Sequence, residues 1–313
     1  MRYAGAMIIF HLLWITIVVT VCLLAVALVL HALPHFNLGG RELAEWLCRA
    51  PGLDLVVGFF VMWPLLYGLI STGIAGMIFA IAGQVLAILI WAMLHELWHH
   101  EAASGPRIMT VLNGLVGKWQ NYAALWVTSI SAPLFVFVRL AELTLYPLLS
   151  MLVGLPTYPM ADWVNVSRQK FSGLVGHDLI WCLYCDWMTG VVSLQMEMLR
   201  NIESFWCPIR FSNTKKCANC SVEFPDIYAG WVDAGGTMAD VAKKLQEMYG
   251  SGERSWFSSP VRLTVHGEEA SEPEHTAADT ATPGVSAPDS GPIDMSAPNT
   301  NESGDSENPS GTP

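Results

Sequence analysis

Residues 53–101 read LDLVVGFFVMWPLLYGLISTGIAGMIFAIAGQVLAILIWAMLHELWHHE, and the fold turns on how this stretch is divided. From Leu53 to Leu94 it is apolar almost without a break. That is too long for one crossing, because a hydrocarbon core about 30 Å thick takes about 20 helical residues. The soft point is Tyr67-Gly-Leu-Ile-Ser-Thr-Gly73, so the spacing predicts a hairpin with spans over 53–71 and 74–97. The second span carries Gly73, Gly76, Ala80, Gly83 and Ala87, small residues that let helices approach closely in lipid. The stretch then ends on His95-Glu96-Leu-Trp-His99-His100-Glu101. Imidazoles and carboxylates at the end of a membrane-length segment are costly unless they are solvated, paired or bound to a metal.

Working outward, Met7 to Leu30 is a further apolar run, long enough to span and too long for the core of a signal peptide. It ends at His31-Ala-Leu-Pro-His35, and Pro34 with the pair Gly39-Gly40 breaks the helix. A span followed by a hairpin returns the chain to the same membrane face. His31 and His35 are therefore expected beside His95, His99 and His100. Tyr122 to Gly154 is apolar again but is interrupted by Pro133, Arg139, Glu142 and Pro147. Arg139 and Glu142 are three residues apart, a spacing that lets them pair on a helix. One crossing here gives four spans, both termini inside and the histidine face outside. Two half-spans bring the histidines and the C-terminal region to one side.

The composition agrees with a membrane protein: 52% of the 313 residues are hydrophobic and only 14% are charged, against about 25% in soluble domains. The formal charge of −11 is concentrated in the C-terminal tail, where the acidic residues from Glu268 to Glu307 face no Lys or Arg. No basic surface suited to nucleic acid emerges. The expected fold class is mainly α: a polytopic helical membrane domain (1–155), a small Cys-rich soluble domain (156–264) and a disordered acidic Ser/Pro/Thr tail (265–313). The cationic residues beyond the last span place that domain in the cytoplasm, with the chain in a bacterial cytoplasmic membrane. The lipid bilayer is one expected partner. A protein docked on the Cys-rich domain is another.

His95, Glu96 and His99 match H-E-x-x-H, in which helical i, i+4 spacing puts two imidazoles on one face to hold zinc. This resembles the membrane-embedded zinc metallopeptidases, and the resemblance covers the motif and the hydrophobic layout. It implies His95 and His99 as ligands and Glu96 as the catalytic general base. Glu101 stands where the extended family pattern wants a hydrophobic residue, and Trp98 is bulky for its position. The third ligand is open, with Asp178, Asp186 and Glu197 as candidates. The same residues also parse as H-x-x-x-H-H, and His31 to His35 as H-x-x-x-H. These resemble two histidine boxes of membrane desaturases and hydroxylases, implying iron on His31, His35, His95, His99 and His100. Glu101 is an additional ligand candidate.

There are seven cysteines, and Cys182, Cys185, Cys207, Cys217 and Cys220 fall close together with two C-x-x-C pairs. Clustering of this kind suggests metal more than a spread disulfide framework. Cys182, Cys185, Cys217 and Cys220 make one tetrahedral zinc set. Cys207, Cys217 and Cys220 with His177 or a carboxylate such as Asp186 make another. The expected cofactors are thus zinc in the Cys-rich domain and zinc or iron at the histidines. Three functions stay open: a metal-dependent hydrolase such as a peptidase; an iron or copper oxidase; and a metal-handling or assembly factor.

Overall fold

In the computed structural model, residues 2–171, 173–210, 212 and 230–250 are described. Among them the regular structure is helical, with four segments long and apolar enough to cross a membrane: 7–35, 52–72, 74–98 and 118–153. The helices are α1 (Arg2–Ala32), α2 (Leu38–Leu47), α3 (Gly52–Thr72), α4 (Ile74–Trp98), α5 (His100–Ala103) and α6 (Ile108–Val116). They continue with α7 (Lys118–Ser129), α8 (Ala132–Val153), α9 (Met160–Trp163), α10 (Gly176–Trp206) and α11 (Met238–Tyr249). The described residues belong to one compact unit that runs to Ser271. The acidic tail expected over 265–313, with Cys217 and Cys220, lies outside them.

Helices α1, α3 and α4 form a bundle, and the predicted hairpin turns at Gly73. Its φ of +70° is a left-handed conformation that favours glycine. Small residues set the spacing within the bundle. A Cβ on Gly68 would strike the Gly76 carbonyl, and one on Gly83 would stand 2.9 Å from Thr16 O in α1. Such close approach lets backbone groups bond between helices: Thr20 Oγ1 donates to Gly83 O (3.1 Å) and Gln84 Nε2 to Phe60 O (2.8 Å). Ile15, Val19, Leu23, Ala80 and Ala87 fill the interior, while Ile70, Ile74 and Ile78 face outward as a lipid-facing surface requires.

The apolar run from 118 to 153 is one candidate span of two helices, bent at Ile130–Ser131, with Pro133 in the first turn of α8. Arg139 and Glu142 pair as their spacing predicts (Nη1 to Oε2, 2.8 Å). A third partner was not foreseen. Asp54, in the first turn of α3, takes Nε and Nη2 of Arg139 at 2.8 and 2.9 Å, tying α3 to α8. Helix α10 packs along α7 and α8, burying Trp187, Val191, Leu194 and Met198 with Tyr146 and Trp163. It also carries a buried ion pair, Glu197–Arg200. Helix α11 starts with a capping box between Thr237 and Asp240.

Candidate metal centre

The last turn of α1 and the last turn of α4 meet at one end of the bundle. Helix α1 ends there because Pro34 cannot continue it, so His31 is left facing α4. His95 and His99 lie one turn apart on α4, and His99 is its C-cap residue. One ligand nitrogen from each of His31, His95 and His99 falls in a group whose members are all within 4.8 Å of one another. Among the described residues this is the group of three or more His, Cys, Asp or Glu placed to share an ion. His95 is buried (5% exposed), His31 half-buried and His99 exposed, so the group opens on one side.

Aromatic rings pack this corner. Trp98 stacks on His31 with centroids 5.5 Å apart, and Trp91 meets both His31 (5.6 Å) and Trp98 (5.7 Å) edge-on. His95 is steadied from behind: the Gly176 N–H at the start of α10 donates to its Nδ1 at 3.3 Å. Gly176 has φ +55°, and a Cβ there would run into the Glu96 carboxylate. One glycine thus touches both the histidine and the glutamate of the motif. The role of Gly176 was not legible in the chain; the available signal was a glycine at the head of a helix.

Glu96 is not in the ligand group. Its Oε1 accepts from Arg107 Nη2 (2.9 Å), while Arg107 Nε donates to Asp178 (2.9 Å) and Nη2 also reaches Val175 O (3.1 Å). The Asp178 carboxylate further accepts the Ile108 and Met109 amides, each at 3.2 Å, satisfying free N–H groups of the first turn of α6. Asp178, a candidate third ligand, is therefore committed to a clamp that joins α4, α6 and α10. Arg107 supplies the cation of that clamp. Sequence reading missed it because its partners lie 11 and 71 residues away.

The other candidates fall elsewhere. His35 approaches the His31 ring at 6.1 Å but stays outside the group, as do His100 and Glu101 on α5, both exposed. Asp186 accepts the Ser167 amide (2.8 Å) and faces Arg168 (3.7 Å), and Glu197 pairs with Arg200. His177 packs against Tyr122 with its Nδ1 buried and without a hydrogen bond, and burial pushes its pKa down. Cys182 and Cys185 are free and half-buried on α10, and Cys207 is free and exposed beyond its end. Burial pushes the Cys185 thiol up, which disfavours the thiolate that redox or metal work needs.

No protein-family model, curated protein or solved structure matches the chain.

Proposed function

We propose that this is an integral membrane metalloprotein that holds one ion on His31, His95 and His99 at a membrane face and uses it as a hydrolase. The supporting observation is the convergence of three imidazoles from two spans. Imidazole suits zinc or copper among other transition metals, whereas magnesium calls for carboxylates, and none is in this group; a histidine-box iron pair would need more imidazoles than these three. Three protein ligands with an exposed side match the open coordination of catalytic zinc. When bound, such an ion supplies a water acidic enough to be hydroxide near neutral pH. In this reading His31 is the third ligand, in place of the acidic candidates on α10. Glu96 is the general base of the H-E-x-x-H turn, and the substrate is a peptide or ester reaching the membrane surface.

His95 Nδ1 accepts the Gly176 N–H, so a neutral His95 carries its proton on Nε2, and ligation through Nε2 would require that hydrogen bond to give way. A second reading is favoured by the Arg107–Glu96 contact, because the guanidinium competes with a bound water for the carboxylate. Under it, the centre receives and hands on a metal without hydrolysing anything. Metal analysis of the purified chain tests the site: one equivalent, lost in His31→Ala, His95→Ala and His99→Ala alike. Two equivalents, or retention in all three variants, overturns it. Hydrolysis of an activated ester separates the readings. Glu96→Gln keeps the metal and loses turnover if the hydrolase is right, and metal with no turnover in the parent chain favours transfer.

A further inference from the structure

Helix α10 runs side by side with α7 and α8, in the same direction. Tyr122 meets His177 (6.1 Å), Trp126 meets Trp181 (5.7 Å), Ser131 Oγ lies 3.0 Å from Tyr184 Oη, and Phe135 meets Trp187 (6.4 Å). Farther on, Tyr146 and Glu197 both contact Tyr158. Whatever depth one of these helices occupies, its neighbour shares. Helix α10 carries Asp178, Asp186, Glu197, Arg200 and Glu203 along its length and is not among the segments apolar enough to cross. A crossing α7–α8 would drag these charges through the hydrocarbon.

The ends of the segment point the same way. The chain enters α7–α8 from the histidine corner, where Arg107 is bound to Glu96. After α8 it doubles back, with Tyr146 Oη donating to Pro156 O (2.9 Å) and Arg139 reaching Met160 Sδ (3.6 Å). It then joins the α2–α3 corner through Ala50 N–H to Val164 O (2.9 Å) and Val166 N–H to Cys48 O (2.8 Å). That corner follows the end of α1, on the face where His31 meets His95. Entry and exit therefore lie on one membrane face.

The surface of α8 is divided accordingly. Leu134, Phe137, Leu145, Leu148 and Met151 are exposed on one side, while Arg139, Glu142 and Tyr146 are buried against the protein on the other. Helix α6 continues the apolar surface with Val111, Leu115 and Val116 exposed. We infer that α6–α8 lie in the plane of the membrane as an apolar keel set into the acyl chains of one leaflet, beneath α10, and that only α1, α3 and α4 cross. This placement does not depend on the metal reading. It puts the histidine centre and α10 on one face of the membrane, with the start of α1 and the Tyr67–Ile74 turn on the other. The far face has Arg2 at the start of α1 and no cation in the Tyr67–Ile74 turn, whereas Arg41, Arg49, Arg107 and Lys118 flank the histidine side, which the positive-inside tendency makes cytoplasmic.

The unmodified full-length chain provides the test, in sealed membrane vesicles of both orientations treated with a membrane-impermeant amine reagent. Lys118 at the start of α7 and Lys243 on α11, both exposed, should label in the same orientation and the N-terminal amine in the other. Labelling of Lys118 and Lys243 from opposite sides overturns the inference. Benzoylphenylalanine at Phe137 and at Leu148 should give phospholipid adducts on illumination. Adducts to a second copy of the chain, or no lipid adduct at either site, also overturn it.

Discussion

Two polar clusters sit at the ends of apolar helices, and they are built on opposite plans. Around Arg139, two carboxylates surround one guanidinium; of its three short bonds two, to Asp54, join α3 to α8 and one, to Glu142, stays within α8, in a site where Arg139 is 3% exposed and Glu142 1%. At the histidine corner three nitrogens converge with no carboxylate among them. The first cluster has its donors answered by acceptors, so it holds helices together. The second brings three imidazoles together with no carboxylate or guanidinium in the group, which suits an incoming cation. Proximity of polar groups says little until donors and acceptors are counted.

The contrast can be broken most sharply at the histidines. His31→Ala should abolish metal retention while the apo chain melts close to the parent, read by metal content and by thermal unfolding in detergent. Arg139→Met should do the reverse. Removing the guanidinium leaves buried carboxylates uncompensated, at a cost of about 3–5 kcal/mol, and whatever protein folds should still bind its metal. An equal fall of stability in both variants would erase the distinction between binding and structural clusters.

Smaller changes sharpen it. Gly176→Ala forces a Cβ against Glu96 at a positive φ and so displaces the turn of α4 that carries His95. A metal-affinity loss of about 10–100-fold is expected, as for groups that orient a ligand, measured by competition with a chelator. Asp178→Asn weakens the Arg107 clamp and the cap on α6, with an expected cost of about 1–3 kcal/mol in unfolding and no loss of metal stoichiometry. The smallest effect concerns thiols. Cys185, raised by burial, should alkylate more slowly than exposed Cys207, and its rate should keep climbing at alkaline pH beyond the usual thiol range. Mass spectrometry of timed samples resolves the two.

Length and hydropathy made the membrane helices legible, and the hairpin at Gly73 follows from a run too long for one crossing. The meeting of His31 with His95 and His99 also follows from the chain, since a span and a hairpin return to the same face. Both conclusions rest on local composition and on counting crossings. The candidate third ligand did not follow. For that place the chain offered Asp178, Asp186 and Glu197, with His31 only in the histidine-box reading, until Arg107, the Ser167 amide and Arg200 were seen to occupy the three carboxylates.

By itself, then, the sequence determined that apolar helices cross a bilayer and that imidazoles gather at one of its faces, because hydrophobic length and helical spacing are properties of neighbours along the chain. Tertiary structure alone decided which polar groups are answered and which are left open. It also decided that Glu96 is held by Arg107 and that α8 shares its course with a charged helix. Those outcomes depend on pairings across tens of residues, where an ion pair or a shared helix face has no local signature.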